Sequence, residues 1–208
     1  MDEINGMFHM IRSQRHDFGN HVQTIQSLAE MGRLDDLKTY VAELAGETRQ
    51  TNDVLGIGNP AIAALVRAKQ SQAESARIAF RCEFAGLEKL ELGVKSLDLT
   101  RLLGNLIDNA FDEAARYPEG NRAVHLTGAL EGGTLVFTVD NYCERLQELP
   151  FDRLFSVGYT TKQGGVHEGL GLSIVEQIAS KYKGTVKAEP LDGSRIRFTV
   201  RIPHRAAL

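Results

Sequence analysis

The N-terminal part of the chain carries two apolar stripes whose spacing fits a helix. From Ile4 to Met31, apolar residues recur at intervals of three, four and seven. Gly32 interrupts the pattern, and a second stripe runs from Leu34 to Val54. This spacing places apolar side chains on one face of a helix. The sequence therefore predicts two helices joined by a very short loop, as an antiparallel hairpin.

A lone hairpin would leave part of each stripe exposed to water. Pairing with a second copy covers it and gives a four-helix bundle, so we expect a homodimer. The segment Gly56 to Pro60 then predicts a hinge and a new helix, with Asn59 at its N-cap and Pro60 at its first position. We place the domain boundary there, with a helical domain at 1–57 and a second domain at 58–208.

The second domain alternates helical stripes with strand-like segments. Two alternating segments, Ala123 to Leu130 and Thr134 to Val139, are separated by Gly132 and Gly133, which predicts a β-hairpin. The chain is thus predicted to be α+β, with a helical hairpin followed by a mixed α/β layer.

Composition excludes several classes of function. The net charge is -3 and the lysines and arginines are scattered, so direct binding of nucleic acid is not expected. Cys82 and Cys143 cannot form a disulfide framework, which favours a cytoplasmic location. No apolar run reaches the roughly 18 residues that span a bilayer. Because helical spacing already begins at Ile4, we expect that an upstream sensor region has been cut away or was never present. In the first case the chain is the cytoplasmic part of a membrane-bound sensor.

The first helix contains a candidate phosphoacceptor, His16, in the run Arg15 to His21. A neutral imidazole is a competent nucleophile near pH 7 because its unperturbed pKa is about 6.5. Asn20 lies one turn further on the same face, whereas Asp17 is rotated by about 100°. The alternatives are that His16 is an ordinary surface residue or that His21 is the acceptor.

Two further motifs suit a nucleotide. Asn105 and Asn109 share one helix face, and their amide oxygens suit Mg²⁺, although a solvated polar face would explain them too. The glycine-rich stretch from Asp140 to Leu172 could place backbone amides against phosphate, with Lys162 as a point charge. Asp140 could accept a hydrogen bond from an adenine amino group, or could simply end a strand.

The order of these motifs resembles that of sensor histidine kinases, whose ATP-binding domain belongs to the GHKL superfamily. The histidine segment is most similar to citrate and dicarboxylate sensor kinases and to sporulation phosphotransferases. The resemblance implies a dimeric four-helix bundle followed by a GHKL-type α/β sandwich with a mixed sheet and an ATP lid. It also implies Mg-ATP as substrate, with phosphoryl transfer to His16 and on to the receiver domain of a response regulator, and possible phosphatase activity toward that regulator.

The resemblance assigns roles residue by residue. It implies catalytic roles for His16, Asp17 and Asn20; ATP binding by Asn105, Asn109, Asp140, Lys162, Gly169, Leu170 and Gly171; a metal ligand in Asn109; and an F-box at Phe151 and Phe155. One departure is that Tyr142, Cys143 and Glu144 stand where the family has a DxGxG box. This departure supports one rival, a histidine phosphotransferase that has lost ATP binding. A second rival is a GHKL ATPase or serine kinase without a phosphohistidine.

Overall fold

The computed structural model describes residues 19–45, 59–87, 93–159 and 170–204. The chain divides into two compact units, Met1–Asn52 and Asp53–Leu208. The predicted hinge lies almost wholly outside the described residues, so the boundary between residues 57 and 58 stays a prediction. Within the described residues, no helix is long and apolar enough to cross a membrane.

The described part of the first unit contains two helices joined by a tight turn. Helix α1 covers residues 19–30 of the described chain, and α2 is Leu34–Ala45. Gly32 between them has a φ of +68°, a left-handed conformation that glycine adopts at little cost. The amide of Arg33 donates to the carbonyl of Leu28 at 3.0 Å and closes the end of α1. The predicted short connection at Gly32 is therefore confirmed, while the four-helix bundle of a dimer stays a prediction.

The second unit contains a mixed five-stranded sheet with the strand order β1-β2-β3-β5-β4. The strands are β1 Ala79–Ala85, β2 Ala123–Glu131, β3 Thr134–Tyr142, β4 Thr185–Pro190 and β5 Arg195–Pro203. Strands β1 and β2 are parallel, and the other neighbouring pairs are antiparallel. The turn between β2 and β3 is made by Gly132 and Gly133, both with positive φ, so the predicted hairpin is confirmed.

Helices α3 Pro60–Ser75, α4 Ser96–Ala114 and α5 Gly171–Lys181 pack on one face of this sheet. Side chains that alternate along β3 face them: Leu135, Phe137 and Val139 are fully buried. Helix α4 supplies much of the core, because an apolar stripe along its length faces the sheet. The predicted α/β layer is therefore a two-layer sandwich with helices on one side.

Helix α3 begins as its sequence predicts. The side-chain oxygen of Asn59 accepts hydrogen bonds from the amides of Ala61 and Ile62, at 3.0 and 3.2 Å, and Pro60 occupies the first helical position. Two of the otherwise unpaired amides of the first turn are thereby satisfied.

Strand β3 is longer than its sequence pattern predicts. Alternation of apolar residues ends near Val139, but the ladder to β5 continues through Asp140, Asn141 and Tyr142. These three residues are therefore part of the sheet, and successive side chains among them point to opposite faces. The prediction that Asp140 lies at the strand end is corrected by this pairing.

Candidate nucleotide-binding site

Two motifs that are distant in sequence meet between α4 and α5. Gly171 opens α5 beside Asn105 on α4, and a Cβ atom on Gly171 would lie 3.2 Å from the side-chain oxygen of Asn105. The amide nitrogen of Asn105 donates to the carbonyl of Arg101 at 2.7 Å, which fixes the side chain. Glycine at this position therefore permits a close approach of α5 to the asparagine face of α4.

Asn109 lies one turn after Asn105 on the same face of α4 and is half-buried. Within the described part of the chain its amide has no hydrogen-bond partner. No group of three or more His, Cys, Asp or Glu side chains among the described residues could hold a metal ion. An amide oxygen of this kind fits Mg²⁺, which commonly takes few protein ligands and completes its shell with phosphate oxygens and waters.

Asp108, between the two asparagine turns, has a different role that the sequence did not reveal. Its carboxylate pairs with Lys69 of α3 at 2.5 Å, and the Lys69 side chain is only 14% exposed. This ion pair holds α4 against α3. The neighbouring Asn105 and Asn109 take no part in it.

The start of α5 has features that suit an anion. Leu170 occupies the N-cap position and provides no side-chain cap. Its carbonyl accepts hydrogen bonds from the amide of Ile174 and the hydroxyl of Ser173. Among the described residues no side chain caps the first turn of α5, so its amides can receive an anion such as phosphate. Lys162 and Gly169, predicted to act beside them, lie outside the described residues.

Asp140 does not lie with these groups. Its neighbours across the ladder are His125 and Arg197, on the sheet face away from the helices. Both carboxylate oxygens accept hydrogen bonds from the Arg197 guanidinium, at 2.7 and 2.6 Å. This hydrogen bonding raises the pKa of Arg197. A role for Asp140 in reading adenine stays a prediction, and this placement argues against it.

Asn141, the next residue, faces the helices instead. Its ladder neighbours are the buried Val124 and Ile196, and it is itself only 2% exposed. The side-chain nitrogen donates to the carbonyl of Tyr142 at 2.8 Å, but the side-chain oxygen is buried and has no hydrogen-bond partner among the described residues. No sequence motif singles out Asn141, although the alternation of buried side chains that starts at Leu135 reaches it.

The residues that replace the family's glycines form an ordered cluster. The rings of Tyr142 and Tyr117 meet edge to face with centroids 4.9 Å apart. Tyr117 donates to Glu113 at 2.7 Å and accepts from the amide of Glu144 at 3.2 Å. Burial, and then the hydrogen bond to Glu113, raise the pKa of Tyr117 to about 12, so the phenol stays protonated at neutral pH. The residues that depart from the DxGxG pattern, Tyr142 and Glu144, therefore hold the end of β3 against the end of α4.

The predicted F-box is part of the same unit. Phe151 and Phe155 pack against the core from a turn-rich segment, and the Phe155 ring meets Phe198 of β5 edge to face at 6.4 Å. The chain that leads toward residues 160–169 is therefore anchored on the sheet before it leaves the described region.

In the first unit, His16 and Asp17 lie outside the described residues. Asn20 is exposed on α1, and its backbone carbonyl accepts from the hydroxyl of Thr24 at 3.0 Å. His21, the rival acceptor, forms a 2.9 Å hydrogen bond between its Nδ1 and the hydroxyl of Tyr40 on α2. That contact gives His21 a structural role in joining the two helices.

A mixed sheet with helices on one face, and a glycine-started helix against paired asparagines, define a GHKL-type ATP-binding sandwich. Residues 94–206 match the family described as histidine kinase-, DNA gyrase B- and HSP90-like ATPase, and the chain belongs to this family. Residues 1–57 match the α-helical domain of SpoOB-type sensor kinases. The predicted resemblance to sensor histidine kinases, with a helical segment followed by a GHKL-type domain, is confirmed.

Similar proteins include sensor kinases across nearly the whole chain. Sensor histidine kinase DpiB of Escherichia coli is 26% identical over 98% of this chain and 38% of its own length. Sensor protein CitS of Halalkalibacterium halodurans is 22% identical over 95% of this chain and 37% of its own length. The chain thus spans a little over a third of the length of these curated relatives. No finding favours a phosphotransferase without ATP binding.

Solved structures share the fold. The catalytic domain of histidine kinase ThkA has a TM-score of 0.55 and 24% identity, covering 67% of this chain and 90% of that one. The histidine kinase AdeS of Acinetobacter baumannii has a TM-score of 0.52 and 18% identity, covering 85% of this chain and 82% of its own. At these identities the likeness shows the fold alone.

Proposed function

We propose that this chain is the kinase core of a two-component system, which binds Mg-ATP in its second unit and phosphorylates His16 in its first. The observation that carries the proposal is the contact of Gly171 with Asn105, because it brings the glycine-led end of α5 to the asparagine face of α4. A helix start suited to phosphate and amides suited to a metal then lie side by side.

The chemistry needs little beyond positioning. Asn109 would hold Mg²⁺, which neutralises charge on the phosphate oxygens when bound. The first-turn amides of α5, with Lys162, Gly169, Leu170 and Gly171, would hold the phosphates. The His16 imidazole, neutral at pH 7, would attack the γ-phosphorus with ADP as the leaving group. Alignment of these two groups accounts for most of the rate that such a site can supply.

The phosphohistidine would then pass its phosphoryl group to an aspartate of a receiver domain. The similarity of the whole chain to sensor kinases supports this partner. The match of residues 1–57 to a SpoOB-type helical domain supports a homodimer built on the hairpin. We place this core in the cytoplasm, where it would meet both ATP and the regulator.

The decisive experiment is to incubate the protein with Mg-ATP labelled at the γ-phosphate and to map the label. We expect label on His16 that survives base and is lost in mild acid. His16→Gln should abolish it, while His21→Gln, the matched control five residues further along the chain, should keep it. Label that resists acid, or label retained by His16→Gln, would contradict the proposal.

A further inference from the structure

Asp140 and Asn141 are adjacent in β3 but serve opposite faces of the sheet. Asp140 shares its face with His125 and Arg197, and Asn141 shares its face with the core residues Val124 and Ile196. Because side chains alternate along a strand, a shift of one residue decides which of the two can meet a ligand on the helix side.

The side chain of Asn141 is in an unusual environment for an amide. It is only 2% exposed, and no group in the described part of the chain forms a hydrogen bond with its Oδ1. Leaving a buried acceptor unpaired costs on the order of 1–3 kcal/mol, so such groups are rare in folded proteins. Nothing in the packing of Val124 and Ile196 compensates for this cost. An unpaired acceptor at this position is what a site for a hydrogen-bond donor would show.

The donor must approach from the side of α4. Tyr142, the residue after Asn141, meets the Tyr117 ring edge to face just beyond the end of α4. Asn141 therefore lies toward the same end of α4 as Asn109, on the sheet face that the helices cover. A nucleotide held by Asn109 and the start of α5 would have its base within this part of the sandwich.

We infer that Asn141, and not Asp140, reads the base of the bound nucleotide, and that its neutral amide selects adenine. The inference rests on the proposed binding of Mg-ATP. The amide orientation is fixed because only the nitrogen can face the carbonyl of Tyr142, which leaves Oδ1 as an acceptor. Oδ1 accepts a hydrogen bond from the exocyclic amino group of adenine. Hypoxanthine presents a carbonyl oxygen at that position, and two acceptors repel.

Asp140 is excluded from this role by its own contacts. Its two carboxylate oxygens are held by the Arg197 guanidinium in a bidentate pair, the arrangement that Arg and carboxylate groups prefer. Turning the carboxylate toward the helices would break both hydrogen bonds and would require the strand to shift its register by one residue.

The test is to measure the binding of ATP and of inosine triphosphate, in the presence of Mg²⁺, to the wild type and to three variants. The wild type should prefer ATP by roughly tenfold or more, the value of one buried hydrogen bond. Asn141→Leu should bring the ratio close to one, and Asn141→Asp, which keeps an acceptor, should retain a preference for ATP. Asp140→Asn should leave the ratio near that of the wild type.

Thermal unfolding of each variant shows whether a lost preference reflects a lost fold. A folded Asn141→Leu that keeps the ATP preference, an Asp140→Asn that loses it, or a wild type that binds both nucleotides equally would overturn the inference. Failure of the wild type to bind either nucleotide would instead refute the proposed function on which it rests. If Asn141→Leu does not fold, the wild type and Asp140→Asn still test the inference, because loss of the ATP preference in either one overturns it.

Discussion

The hydroxyl of Tyr182, just after α5, donates a 2.5 Å hydrogen bond to the carboxylate of Asp98 in the first turn of α4. Lys181 donates to the same carboxylate oxygen at 2.7 Å. These contacts hold the end of α5 against the start of α4. They therefore help to fix the two helices that place Gly171 against Asn105.

We expect this contact to make stability depend on pH. The hydrogen bond from Lys181, followed by that from Tyr182, lowers the pKa of Asp98. A carboxyl group with a lowered folded-state pKa stabilises the protein above its unfolded pKa of about 4, and this contribution is lost as the pH falls through the folded value. The same hydrogen bond raises the pKa of Lys181. Its contribution is present below about pH 10 and is lost as the pH rises through the folded value.

Asp98→Asn should accordingly be less stable than the wild type at pH 7, and the difference should shrink in the acid range. Urea unfolding of both proteins at a series of pH values measures this. A difference in the free energy of unfolding that stays constant from pH 7 to pH 3 would show that the ionised carboxylate does not contribute.

Gly171→Ala should weaken ATP binding more than it affects stability. The new methyl group would press on the oxygen of Asn105, which cannot easily move because its nitrogen is held by Arg101. Alanine is also the better helix former by roughly 1 kcal/mol, which offsets part of the strain. Gly120→Ala is a suitable control, since a Cβ atom there would meet nothing within 4 Å. Calorimetric titration with Mg-ATP should show a loss for Gly171→Ala alone.

Asn109→Ala should remove the Mg²⁺-dependent part of nucleotide binding and leave the fold intact. The amide is half-buried and supports no described hydrogen bond, so its removal should cost little stability. Gln177→Ala, an exposed amide on α5, serves as the matched control. Titrations with ATP, with and without Mg²⁺, compare the two variants. Unchanged Mg²⁺ dependence in Asn109→Ala would remove it from the metal site.

Local patterns in the sequence were sufficient to predict most of the elements. Asn59 and Pro60 predicted the start of α3, and Gly32 predicted the turn of the helical hairpin. Gly132 and Gly133 predicted the turn between β2 and β3. Each of these depends on the chemistry of a few neighbouring residues. The family motifs likewise predicted that Asn105 and Gly171 serve one site, and the structure brings them together.

Features that depend on distant pairing could not be predicted in the same way. The extension of β3 through Asn141 follows from its ladder with β5, and the apolar pattern of β3 alone does not contain it. The Lys69–Asp108 ion pair and the bidentate hold of Arg197 on Asp140 likewise join residues that are far apart in the chain. The motif pointed to Asp140 because of its residue type, whereas the alternation of the strand turned Asn141 toward the helices.

Asn20→Ala tests whether the core also dephosphorylates its regulator. Asn20 is exposed on α1 and follows His16 by four residues in the sequence. The predicted helix would put both on one face, so the Asn20 amide could orient a water molecule against the receiver's phosphoaspartate without changing protonation. Attack of His16 on ATP needs the imidazole and the metal-bound phosphates, and does not need this amide. Asn20→Ala should therefore slow the loss of phosphate from the regulator severalfold and leave phosphorylation of His16 near the wild-type rate.

Gln26→Ala, another exposed amide on α1, should change neither rate. Paired assays that follow both phosphates on the same preparations measure these rates. Equal rates of dephosphorylation in wild type and Asn20→Ala would show that the amide is an ordinary surface group.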